Sequence, residues 1–294
     1  MINNPEFTDD EDNNDQMSLP TSGSEGMSIS PKSTYEADKS KDIRVSLIVS
    51  DIQEISDEIN ALDFNDYRIS CSVREKIIIA LDRSRDEEIT PFQDNADNNY
   101  SPLSLLKKGV EMFVHLKSSL NRQHEFALIL LDENKCTWCL DFTSNVREVI
   151  KTLNTVTECC AEDIFDLNSL FNEIAKRVKI PNFNKDIPPP YVVRTVLLYN
   201  RSYTCPKIDI TEIVKEILDL PYFTLDILAS HEPVDETNNC KKIFSTLQNI
   251  DKKGFSYFFS VGRDINILLS SMGKLLGHPL QRPLRKYANY SIAN

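Results

Sequence analysis

The chain has 294 residues, 40% of them hydrophobic, which is enough for one large domain or two small ones around a buried core. It carries 45 acidic against 33 basic side chains, a net charge of -12, and so lacks the dense Lys and Arg that non-specific binding to a phosphate backbone requires. No apolar run approaches the roughly 20 residues that cross a bilayer, the opening MINNPEFTDDEDNND has neither basic nor apolar leader character, and an odd seven cysteines (Cys71, Cys136, Cys139, Cys159, Cys160, Cys205, Cys240) read as small buried thiols of a reducing compartment. A soluble intracellular protein that binds neither nucleic acid nor membrane is therefore expected.

In chain order, residues 1–42 are rich in Asp, Asn, Ser, Thr and Pro and too poor in apolar residues to offset the entropy of ordering, which predicts a disordered acidic tail. Over residues 43–65 the residues Ile48, Ile52, Ile55, Ile59 and Leu62 recur at helical spacing, predicting an amphipathic helix. Strand-like runs follow at Ile77–Leu81, Phe126–Leu131, Cys136–Phe142, Val192–Tyr199, Phe223–Ser230 and Phe255–Val261. Several are continuous rather than alternating, as in strands covered on both faces. Helical patterns lie between them, with Ser101-Pro102, Asp166, Asp209 and Asp264 as starts and Gly277 as a left-handed stop. The short Leu131–Lys135 connection predicts a hairpin. The expected fold is a doubly wound, mostly parallel six-stranded α/β sheet with one antiparallel strand and helices on both faces, spanning 69–277. The chain then runs on as residues 278–294, a separate C-terminal tail.

Function in such a sheet sits beyond the carboxyl ends of the strands, near the switch point between the first and fourth. The first strand ends in Asp82-Arg83-Ser84-Arg85-Asp86. Short oxygen side chains at this spacing can converge on a hard cation, and Thr143 after the third strand offers a further hydroxyl. The fourth strand, however, ends in Asn200-Arg201, not in Asp, so Asp82, Ser84, Asp86 and Thr143 form a degenerate cluster from which no bound metal is expected. Cys136-Thr-Trp-Cys139 has CxxC spacing, but no second pair accompanies it, and its thiols fall on opposite sides of a strand. Phosphate loops, GxGxxG, GxSxG and HExxH are all missing, and no histidine is tied by spacing to a cysteine. No catalytic residue and no cofactor is expected. The tail has a different character: His278, Pro279, Leu280, Gln281, Arg282 and Pro283, followed by Tyr287 and Tyr290, suit an extended peptide anchored in another protein's groove. Residues 265–294 also carry four bases and no acid, against ten acids and four bases in residues 1–44.

At these residues the sequence resembles the von Willebrand factor A-like scaffold subunits shared by the BRISC and breast-cancer-susceptibility A deubiquitinase complexes. The stretches that carry the likeness are Glu111–Val114, His124–Leu128, Ile187–Thr195 (IPPPYVVRT), Pro221–Phe223, His278–Pro283 (HPLQRP) and Tyr290-Ser291, within about 69–292. The resemblance implies a non-catalytic assembly subunit of a complex specific for lysine-63-linked ubiquitin chains. Its partner would be a ubiquitin-conjugating-enzyme-like scaffold subunit, bound through the tail, and through it an Abraxas-type subunit and a JAMM zinc deubiquitinase, in cytoplasm and nucleus. Two rivals stand beside it: a free-standing metal-dependent ligand-binding domain using Asp82, Ser84, Asp86 and Thr143, and a cysteine hydrolase acting on ubiquitin.

Overall fold

Six apolar segments flanked by turns pair into one sheet, the four inner ones carrying nearly unbroken buried runs and the two outer ones, Cys136–Thr143 and Phe258–Val261, being only partly buried. The computed structural model describes residues 73–87, 89–94, 98–182 and 188–288. The predicted tail at 1–42, the predicted helix at 43–65 and Tyr290 lie outside the described residues. The strands are β1 (Glu75–Asp82), β2 (Glu125–Leu131), β3 (Cys136–Thr143), β4 (Val192–Tyr199), β5 (Phe223–Ser230) and β6 (Phe258–Val261), in the spatial order β6-β5-β4-β1-β2-β3. β1 runs parallel to both β2 and β4, β4 to β5, and β5 to β6. Only β3 is antiparallel, returning from the hairpin that Asp132 N and Lys135 O close at 2.9 Å. The expected sheet is thus present, with its switch point between β1 and β4.

Alternate strand residues face opposite layers. Ile77, Ile79, Leu81, Phe126, Leu128, Val196 and Leu198 pack under α1 (Pro102–Leu120), α2 (Val146–Thr155) and α6 (Ile265–Lys274). Ile78, Ala80, Ala127, Ile129, Val193, Leu197 and Ile227 pack under α3 (Asn168–Arg177), α4 (Glu212–Asp219) and α5 (Cys240–Gln248). Ser101 caps α1 by accepting from Ser104 N, with Pro102 in the first turn, and the Asp264 carboxylate caps α6 by accepting from Asn266 N and Ile267 N.

Four local expectations are corrected. Thr211, not Asp209, caps α4. Leu167 holds the N-cap position of α3, while Asp166 Oδ1 accepts from Asn168 N. Gly277 is no left-handed stop; among the described residues the positive-φ glycine is Gly254, at 78°. The last-turn carbonyls are already covered by backbone, Ser271 O by Leu275 N at 3.2 Å and Gly273 O by Leu276 N at 3.0 Å, and beyond the helix Leu276 O accepts from Lys117 Nζ at 3.1 Å and Gly277 O from Arg194 Nη1 at 3.2 Å. Finally β6 starts at Phe258, because the backbone before it is spent elsewhere. Phe255 O accepts from Arg282, and Ser256 N and Tyr257 N donate to Asp251 and Asp226.

Candidate functional site

At the carboxyl ends of β1, β4 and β5 the side chains Asp82, Ser84 and Asp86 do converge. Asp82 is fully buried. Ser84 donates to its Oδ1 through both N (3.1 Å) and Oγ (2.7 Å), and Asn200 N donates to Oδ2 at 3.0 Å. The remaining approach is filled by Arg201, whose Nε lies 3.1 Å from Oδ2 and Nη2 3.2 Å from Oδ1, a two-pronged guanidinium–carboxylate pair. Arg201 also donates to the carbonyls of Asp132 and Glu133 and stacks 4.2 Å from the Phe165 ring centroid. Burial would lower its pKa, but Asp82 raises it above the usual arginine value. A guanidinium therefore stands where a cation would meet Asp82, and the donor set does not fit a divalent metal. Among the described residues, no three His, Cys, Asp or Glu side chains gather in a way that could hold a metal ion.

Thr143 does not join this cluster. It pairs with Phe126 at the amino end of β2, whereas Asp82 pairs with Leu131 at the carboxyl end. The antiparallel return of β3 carries it to the opposite edge of the fold, where its hydroxyl donates to Glu148 at 2.8 Å. Arg83 and Arg85 also point away, to Asp132 at 2.6 Å and Glu158 at 3.7 Å. Asp86 accepts from Ser202 N at 2.8 Å, and burial pushes its carboxyl up to about 6. A second arginine, Arg263, ties Glu232 to Ser230 Oγ at 2.5 and 2.7 Å. Beside this closed cluster opens a cleft of about 980 Å3 whose rim sets Asp86, Glu87, Glu158, Glu162 and Asp163 against Arg85, a lining that repels anions.

The cysteines are poorly suited to nucleophilic work. Cys136 is buried and Cys139 exposed, as the strand spacing predicts. Burial pushes the Cys136 thiol up to about 12 and the Cys159 thiol to about 11, and it raises Cys139 and Cys240 too. Thiolates are disfavoured at all four. His231 is engaged by Glu232 O at 2.7 Å and Ser260 Oγ at 2.8 Å.

The opposite end of the sheet holds a second charge cluster that the sequence reading missed. Glu75, Arg194 and Asp226 lie fully buried on β1, β4 and β5, and Lys117 reaches them from the last turn of α1. Lys117 Nζ bonds Glu75 Oε1. Arg194 spans Glu75 at 3.4 Å and Asp226 at 2.7 Å. The third cation is Arg282, which donates to Asp226 at 2.9 and 2.5 Å, to Phe255 O at 2.8 Å, and lies 4.0 Å over the Tyr257 ring. Burial would raise both carboxyls. Arg194 and Lys117 hold Glu75 below its usual range, and Arg282 and Arg194 do so for Asp226.

This places the tail against its own domain. Gln281 N and Arg282 N both donate to His278 O, so the segment turns and does not extend. His278 Nε2 lies 3.1 Å from Val73 O while its Nδ1 accepts from Leu280 N, Pro279 is buried, and Leu280 packs on Val73, Val192 and Tyr222. Tyr257 Oη donates to Pro283 O at 2.7 Å, and Arg285 N to Gly254 O at 2.8 Å. The expectation of an extended segment is corrected: it turns, and His278, Pro279 and Arg282 anchor it as a strap folded onto the sheet. Gln281, Pro283 and Tyr287 face outward. The signal was available, since charged residues inside the otherwise apolar runs VVRTVLLY and FTLDILAS must find buried partners.

No family model matches the chain. It is 37% identical over 232 residues to the Xenopus laevis protein "BRISC and BRCA1-A complex member 1", covering 76% of this chain and 69% of that one. To the Homo sapiens protein of the same name it is 34% identical over 233 residues, with 76% and 69% covered. Among solved structures it is similar to BatB from Bacteroides thetaiotaomicron (14% identity, TM-score 0.48, 69% of this chain and 97% of that one). It is also similar to the SpRpn10 VWA domain (14% identity, TM-score 0.44, 71% and 97%).

Proposed function

Because the chain belongs to the BRISC and BRCA1-A complex member 1 family, we propose that it is the non-catalytic scaffold subunit of a deubiquitinase complex that cleaves lysine-63-linked ubiquitin chains. In this reading it binds a ubiquitin-conjugating-enzyme-like subunit, and through it an Abraxas-type subunit and a JAMM zinc deubiquitinase, in cytoplasm and nucleus. The observation that carries the scaffold role is the closure of the crevice at the strand ends by the chain's own Arg201 and Arg263. Polar groups that would hold a metal or substrate there are spent on one another, which leaves the outer surface for function. The raised thiols support the same assignment against a cysteine hydrolase. The partner docks on the outward face of the C-terminal strap, at Gln281, Pro283 and Tyr287, while Arg282 holds that face in place from inside.

The test is a tagged pull-down from native cells with mass spectrometry and a lysine-63 chain-cleavage assay on the eluate. Recovery of a JAMM protease with chelator-sensitive cleavage, the purified chain alone being inert, is the expected result. Recovery of the chain without partners, or cleavage by the purified chain, would overturn the reading.

A further inference from the structure

The CxxC-spaced stretch Cys136–Cys139 lies on β3, which among the described residues is an edge strand with a neighbour on one side. Between β3 and α3 runs a groove of about 460 Å3 whose lining includes Lys135, Trp138, Asn172, Glu173, Lys176 and Arg177. Ser169 Oγ accepts from Cys136 N at 2.8 Å and pins the strand against the helix at this point. Trp138 is the chain's single tryptophan. Its ring is braced edge-to-face by Phe142 at 5.9 Å, and the Arg177 guanidinium stands 5.5 Å from its centroid. Its indole Nε1 is buried and meets no hydrogen-bond acceptor among the described residues.

An indole N–H is a donor only, and a buried donor without an acceptor is destabilising. The groove that Trp138 lines carries three cations, Lys135, Lys176 and Arg177, against one carboxylate. Glu173 pairs with Lys176 at 2.9 Å and Arg177 at 3.3 Å. The rim is thus net positive on a chain whose total is -12. Both pairs are solvent-exposed on the cationic side, so the two side chains can turn toward a guest at little cost.

We propose that this groove docks an extended acidic segment of a partner protein, seating one carboxylate on Trp138 Nε1 among Lys135, Lys176 and Arg177. The donor requires an acceptor, the excess positive charge selects a carboxylate over an amide, and the open strand edge suits an extended backbone. The inference does not depend on the subunit assignment above.

Because Trp138 is the single tryptophan, its emission in the full-length chain reports this groove alone. The probes are a blocked peptide of alternating Glu and Val, and its Gln counterpart. A saturable emission change is expected with the Glu peptide. Affinity should fall at least about tenfold for the Gln peptide and for the Lys135→Glu/Lys176→Glu variant, whose melting and circular dichroism match the unsubstituted chain. Trp138→Phe, followed by calorimetry, keeps the aromatic surface and removes the donor, and should lose affinity likewise. The proposal is overturned by the lack of a saturable signal, by equal binding of the two peptides, by full affinity in the lysine variant, or by a single-stranded oligothymidylate binding more tightly than the Glu peptide.

Discussion

The two ends of one sheet use buried charge for opposite purposes. At the carboxyl end, Arg201 and Arg263 reach into the crevice between strand-end loops and neutralise Asp82 and Glu232, which shuts the place where a doubly wound sheet commonly receives a ligand. At the amino end, Glu75, Lys117, Arg194, Asp226 and Arg282 fasten segments far apart in sequence. His278 and Val73, joined there at 3.1 Å, are 205 residues apart. Similar chemistry thus closes a site at one end and closes the chain at the other. Buried ion pairs are seldom net stabilising relative to apolar packing, but removing one partner is costly because the other is left charged and dry.

That asymmetry ranks single substitutions by what each leaves charged and buried. Asp226→Ala leaves Arg282 buried without a carboxylate and Arg194 with Glu75 alone, and is expected to have the largest effect, about 3–5 kcal/mol and a melting drop on the order of 10 °C in thermal unfolding. Arg201→Ala strands Asp82 alone among hydrogen-bonding neighbours, and a loss of about 2–4 kcal/mol is expected in urea titration. If millimolar magnesium or manganese restores that loss, the arginine has been standing in for a cation; if not, the pocket is purely structural.

The pH dependence sharpens the contrast further. Asp86 has a folded pKa of about 6 against an ordinary 3.8, so the folded state binds the extra proton and stability falls as pH rises through that window. Asp86→Asn should therefore melt higher at pH 7, by about 1–3 kcal/mol of stability, with the advantage vanishing below about pH 4. At the other end His124, whose Nδ1 accepts from Glu75 N, is lowered by burial from 6.5 to about 4. Its contribution is complete above 6.5 and is lost as pH falls toward 4, so His124→Gln should flatten the acid limb of a stability–pH curve. The smallest effect on stability belongs to Tyr287→Ala, 39% exposed, with a melting temperature within a degree or so of the unsubstituted chain but reduced co-purification of partner subunits.

The sheet was legible because continuous apolar runs bounded by turns admit few arrangements, and the Asp82-Arg-Ser-Arg-Asp86 cluster was legible because it follows the first such run. Thr143 was misplaced although the sequence held the correction: the short Leu131–Lys135 hairpin already forces the next strand to end at the far edge. The pairing of Arg201 with Asp82, 119 residues earlier, was not legible, since local spacing says nothing about which loop lies across a crevice. The strap was misjudged for a related reason. Two prolines mark a segment that cannot be helix or central strand, but its docking depends on Asp226, a single carboxylate in the middle of another buried strand.

The most direct test of this account is thermal unfolding of the full chain carrying Arg282→Ala. A melting temperature lowered by several degrees, with Tyr287→Ala unchanged beside it, is predicted if Arg282 fastens the strap to Asp226. An unchanged melting temperature together with loss of the partner subunits would show that Arg282 faces the partner, and would contradict the account.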